Sequence, residues 1–277
     1  MTTRADPLSR APEPPDRVVF ATGVLLDADD FRAEQLYHRG RLARAVAYLH
    51  GHGTVAGLRV VHEPATAERE ERVVVRPGLA VDRLGRLVEL PSDACLRLDR
   101  WFQAQTDAHL AAAFRPAGGE IVADVFIRFV ACERGRTPAF ATGPYDALDA
   151  AQPSRLRDGC EVTLVVRQEP EPPPVPPTWP APAPDATPEA RAAALRELVL
   201  DGWRETDASW TRSGLAPLPE HAIGQDTTAV FLARVRLPAT QGAPASRPTR
   251  AAGAVTVDNQ LRRLVVPTGA LAAWMGS

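Results

Sequence analysis

Ten prolines fall between Pro170 and Pro188, in the segment EPEPPPVPPTWPAPAPDATP, out of 27 in the whole chain. Proline has no backbone N–H and a fixed φ, so neither a helix nor a central strand can run through such a stretch. Polyproline II is the conformation left to it. The run therefore divides the chain into a loose Pro-rich arm (1–16), a first domain (17–168), a strap or linker (169–188) and a C-terminal part (189–277). Trp179 sits inside the run, and an indole there favours a strap, because it is an anchor that gains by covering a folded surface. The strand segments beyond the run are too short for a core of their own, so the C-terminal part is expected to pack on the first domain.

Apart from proline, the composition is that of an ordinary globular chain, 45% hydrophobic and 24% charged with a net charge of -2. All 32 basic residues are Arg; chemistry that needs a Lys amine is excluded. A near-neutral balance argues against a nucleic-acid partner, which rewards excess positive charge. No stretch approaches the roughly 18 apolar residues that cross a membrane. The opening MTTRADPLSRAPEPPD lacks the apolar segment of a secretion signal. Cys95, Cys132 and Cys160 are odd in number and dispersed, as expected of a protein in a reducing cytoplasm.

The strongest local signal is a helix over 29–50. Asp27 is its N-cap, Asp29 and Asp30 suit the helix dipole, and Gly51 and Gly53 stop it. Phe31, Leu42, Ala45, Val46 and Leu49 share one stripe, expected to dock the helix on a sheet with Leu25 and Leu26. Strands are expected over 54–62, 72–75, 79–82, 87–90, 94–98, 120–132, 161–168, 230–237, 254–257 and 261–266. Helices are expected over 99–114, 188–207 and 270–274, and a long loop over 133–159. Arg76-Pro77-Gly78 and Asp82–Gly85 read as turns of a meander. With few helices between neighbouring strands, the fold class is α+β with mainly antiparallel strands.

Chemistry is sparse. Gly51–Gly57 ends a helix and opens a strand, the reverse of a phosphate-binding loop. His38 and His50 have no spacing that puts two imidazoles on one helix face. The favoured reading is a buried Gln35–His38 hydrogen-bonded pair, with His50 bonding a carbonyl at the helix end. There is no nucleophile elbow, and Asp82 reads as a turn former. The sequence therefore predicts no catalytic residue, no metal and no cofactor.

The run FATGVLLDADDFRAEQLYHRGRLARAVAYLHGHGTVAGLRV (20–60) resembles a group of bacterial proteins with an F-x-x-G-x-L-L-x-x-x-D-F-x-x-E-Q-x-Y segment followed by L-H-G-x-G-x-V-x-G-L-x-V. VVVRPGLAVDRLGRLVELP (73–91), with Pro77, Gly78, Asp82 and Gly85, is similar to their next block, as are 153–164 and 231–268 further on. The group is associated with phage-tail-like contractile injection systems, in the baseplate or fibre region. Some members have W-G-V-V-C-G-L where this chain has HGTVAGL, which speaks against a shared site around Gly51, Gly53 and Gly57. The resemblance implies a non-enzymatic structural or adaptor subunit, assembled into a particle in the cytoplasm. Its expected partners are other particle subunits or copies of itself. The alternatives are a carbohydrate- or protein-binding adaptor holding a fibre or effector, and, third, a hydrolase whose site the sequence does not show.

Overall fold

The computed structural model describes residues 3, 4, 6, 16–138, 151–169, 173–177, 185–200, 215–243 and 246–266. In chain order the elements are β1 (Thr3–Arg4), α1 (Ala28–His50), β2 (Gly53–Gly57), β3 (Val60–Glu63), β4 (Arg72–Val75), β5 (Gly78–Val81), β6 (Leu87–Leu90) and β7 (Ala94–Arg97). Then come α2 (Leu98–Ala104), α3 (Asp107–Ala113), β8 (Phe114–Arg115), β9 (Glu120–Pro138), β10 (Ala151–Val166), α4 (Pro188–Leu200), β11 (Val230–Thr240), β12 (Thr249–Arg250) and β13 (Thr256–Asp258). The fold is α+β, and the strand pairs among the described residues are antiparallel.

Two layers enclose the core. One is a meander of three long, kinked strands, β2–β3, β4–β5 and β6–β7, whose halves pair as β2-β5-β6 and β3-β4-β7. Arg76-Pro77-Gly78 is therefore a kink within a strand, where a turn was expected. The expected strand over 54–62 likewise breaks in two, because Gly57 (φ 63°) and Leu58 (φ 53°) take left-handed backbone. At the kink Leu58 N–H donates to the Pro77 carbonyl and Arg76 N–H to that of Arg59. A Cβ on Gly57 would meet the Pro77 oxygen at 2.2 Å, and one on Gly78 the Ala56 oxygen at 2.3 Å. Only glycine lets the strands approach so closely.

The second layer is the sheet β1-β9-β11-β12, with β10 and β8 also on β9 and β13 on β11. Leu58, Val60, Val73, Val75 and Val88 from the first layer, with Leu98 at the start of α2, pack in one core with Val125, Ile127, Val230, Leu232 and Val235 from the second. Pairing of β11 with β9 joins the two parts of the chain into one sheet. Arg234 on β11 donates to the Pro173 and Pro174 carbonyls, and Pro173 and Pro176 are buried. The opening of the proline run thus lies on the body. Trp179 and the expected terminal helix over 270–274 fall outside the described residues.

Several expectations are corrected. Much of the expected loop over 133–159 is strand, since β9 runs on to Pro138 and β10 begins at Ala151. The helix over 99–114 is two, broken where Thr106 caps α3 by accepting from His109 N–H. Residues 261–266 form only a single parallel bridge, Leu264 to Thr54. The arm is tied down at its described residues. Thr3 and Arg4 pair with Cys132 and Ala131, and Asp6 is buried.

Candidate functional site

Asp27 accepts from Asp29 N–H at 2.7 Å and Asp30 N–H at 3.2 Å, while Asp30 accepts from Asp27 N–H at 2.9 Å. This reciprocal cap satisfies donors that a bare helix start leaves open. At the other end Gly51 (φ 74°) donates its N–H to the Ala47 carbonyl. Gly53 (φ 140°) follows, with the Arg263 carbonyl 2.6 Å from where a Cβ would sit. Thr54 N–H donates to that carbonyl, and Val265 N–H donates back to Thr54.

The face by which α1 docks is not the expected one. Ala43 and Ala47 are its buried residues. Ala43 meets the β5–β6 turn, where a Cβ on Gly85 (φ 78°) would lie 1.8 Å from the Ala43 oxygen. Asp82, fully buried in that turn, accepts from Leu84 N–H, Arg86 N–H and the Arg86 guanidinium. Arg86 also reaches Asp6 at 3.2 Å, and Asp6 takes Arg39 of α1 at 3.0 Å. The Arg86 guanidinium lies 4.6 Å from the centre of the Phe129 ring, a cation–π contact. Burial pushes the Asp82 carboxyl above its usual range against the pull of Arg86. Burial also opposes the Arg86 charge, but the Asp82 and Asp6 carboxylates outweigh it and raise its pKa. The network of Asp82, Arg86, Asp6 and Arg39 thus bolts helix, turn and N-terminal residues together.

The stripe expected to dock faces water. Phe31 is 57% exposed, Leu42 64% and Leu49 76%, and Leu25 ahead of the helix is 95% exposed. Gln35 and His38 lie on this exposed face and form no pair. His38 instead meets Glu34 at 2.7 Å, with its ring edge on Tyr37. His50 is exposed and bonds no carbonyl among the described residues. Phe31, Gln35, His38, Leu42, Ala45 and Leu49 alternate steps of four and three, the spacing of a helix-to-helix seam.

Sequence reasoning missed the long-range polar residues. Asn259 accepts from Val60 N–H and donates to the Val60 carbonyl, both at 2.9 Å, so its amide imitates a strand neighbour. Arg262 beside it donates to the Leu58 carbonyl, and burial together with Arg59 lowers its pKa to about 10. Asp124 binds Arg234 through both carboxylate oxygens. Among the described residues no group of three or more His, Cys, Asp or Glu is placed to hold a metal ion. No described helix is long and apolar enough to cross a membrane. No family model matches the chain, and no curated protein matches it.

Proposed function

We propose that the protein is a non-enzymatic structural or adaptor subunit of a phage-tail-like contractile injection particle, acting through protein–protein contacts. The observation that carries this reading is the exposed seam of α1. Val19, Phe20, Val24, Leu25 and Leu26 ahead of it are exposed as well. Exposed large apolar side chains grouped in this way mark interaction surfaces. The motif resemblance of residues 20–60 and 73–91 supplies the particle.

The occupant of the seam is α1 of a second copy, running antiparallel. The first half of the helix carries Asp27, Asp29, Asp30 and Glu34 beside Arg32, while the second half carries Arg39, Arg41 and Arg44 and contains no acidic residue of its own, Arg39 being held by Asp6 from the N-terminal residues. An antiparallel pair sets each acidic half against a basic half and opposes the helix dipoles. A two-fold axis near Gly40 then puts Phe31 opposite Leu49 and His38 opposite Leu42. Light scattering on the eluting protein should give twice the chain mass, and Leu42→Glu with Leu49→Glu should give a monomer with unchanged melting temperature. A monomeric wild-type protein sinks the seam. Particles that assemble with full infectivity in a strain lacking this chain sink the subunit reading.

A further inference from the structure

The β9–β10 hairpin runs on past the body, with residues 134–138 and 151–158 exposed. Its register sets Arg134 directly opposite Arg155, and the two-residue repeat of a strand returns Arg157 to the face of Arg155. Like charges directly opposite destabilise an antiparallel pair. Many of the other arginines are supplied with acids, as in Arg72–Glu63, Arg128–Glu161 and Arg250–Glu71. Arg134, Arg155 and Arg157 have no carboxylate partner among the described residues. They line a cavity of about 400 Å³ together with Gly135, Ser154 and Leu156. Gly135 has φ 65°, and a Cβ on it would press on the Ser154 hydroxyl at 2.6 Å. Glycine there leaves the hydroxyl room.

We infer that the cavity between Arg134, Arg155 and Arg157 binds a phosphate group, carried by a small soluble ester or by a lipid headgroup. A carboxylate is satisfied by one guanidinium fork. Three guanidinium groups offer more donors and more charge than one carboxylate can use, whereas a phosphate has the acceptor oxygens to match them. The volume lies in the ~300–1,000 Å³ range of small-ligand sites. The competing explanation is that the arginines only keep β10 from pairing with a stray strand, since β9 is its one strand neighbour among the described residues. Charge alone would serve that purpose, and there Lys would do as well as Arg, whereas a phosphate held by the two parallel bonds of a guanidinium fork loses them when Arg becomes Lys. The inference is independent of the subunit reading and stands or falls separately.

The test uses the full chain with two probes. One is pyrophosphate followed by calorimetry, and the other is flotation with phosphatidylcholine vesicles doped with phosphatidic acid. Arg155→Ser and Arg134→Ser should each weaken binding about 10-fold or more, as loss of a charge-assisted pair does, with the melting temperature held. Arg155→Lys should be weakened too. Binding of pyrophosphate alone identifies a soluble ester, and vesicle binding lost in Arg155→Ser identifies a headgroup; either supports the site. The inference is overturned if neither probe binds, if Arg155→Ser binds as wild type, if Arg155→Lys is equivalent to Arg, or if polyglutamate outcompetes pyrophosphate.

Discussion

His221 shows how a single side chain can fix a protonation state. Its Nδ1 accepts from Leu218 N–H at 3.0 Å, which leaves Nε2 to donate to the Ala229 carbonyl at 3.0 Å. Both nitrogens are committed in the neutral tautomer, and burial lowers the pKa below its ordinary value. The unfolded chain, with a His pKa of about 6.5, therefore takes up the proton first as pH falls. Stability from this group is complete above that value and is lost below it, toward the folded pKa. Urea midpoints should fall between pH 7.5 and 5.5 more for wild type than for His221→Gln; equal falls would refute it. Gly85 is the second instance. Gly85→Ala places a Cβ on the Ala43 carbonyl in left-handed backbone, and should cost about 2–4 kcal/mol. A chemical-denaturation loss under 1 kcal/mol would contradict this close approach.

At the scale of elements, α1 was legible because a cap, a glycine stop and 3.6-residue patterning all lie within the helix. Which face docks was not legible. The sequence offers a large apolar stripe, yet Ala43 and Ala47 are the buried residues, and at Ala43 Gly85 lets backbone approach backbone. Asp27→Ala should fray the helix start at a cost of about 1 kcal/mol, seen as reduced helical circular dichroism. The outer part of the β9–β10 pair, within the expected loop over 133–159, read as loop for the opposite reason. The outer half of the pair is exposed, so it shows no apolar alternation, and the ladder that holds it is main-chain. The strand kink at Arg76-Pro77-Gly78 carried the residues of a turn, and only the pairing of β4 and β5 with different strands shows that the chain continues.

For the whole molecule, the antiparallel α+β class followed from strand spacing, while the ion pairs that tie distant segments did not. Asp124 with Arg234, and Asp6 with Arg86, are more than 70 residues apart in sequence, and no local pattern joins them. Arg234→Ala removes both the partner of a buried carboxylate and the donor that holds Pro173 and Pro174. It should cost about 3–5 kcal/mol and speed protease cleavage within 169–188; unchanged cleavage would show the run is held by other contacts.

The pairing of β11 with β9 also has a consequence in time. A ribosome completes β10 at Val166 roughly 65 residues before it reaches β11 at Val230, an interval on the order of 3–13 s at ~5–20 residues per second. Throughout that interval the edge of β9 over Glu120–Ile127 lacks the strand that pairs with it in the finished fold. The nascent chain is most open to misassembly then, and a message stopped before Val230 should send its product to the insoluble fraction or hold it on chaperones.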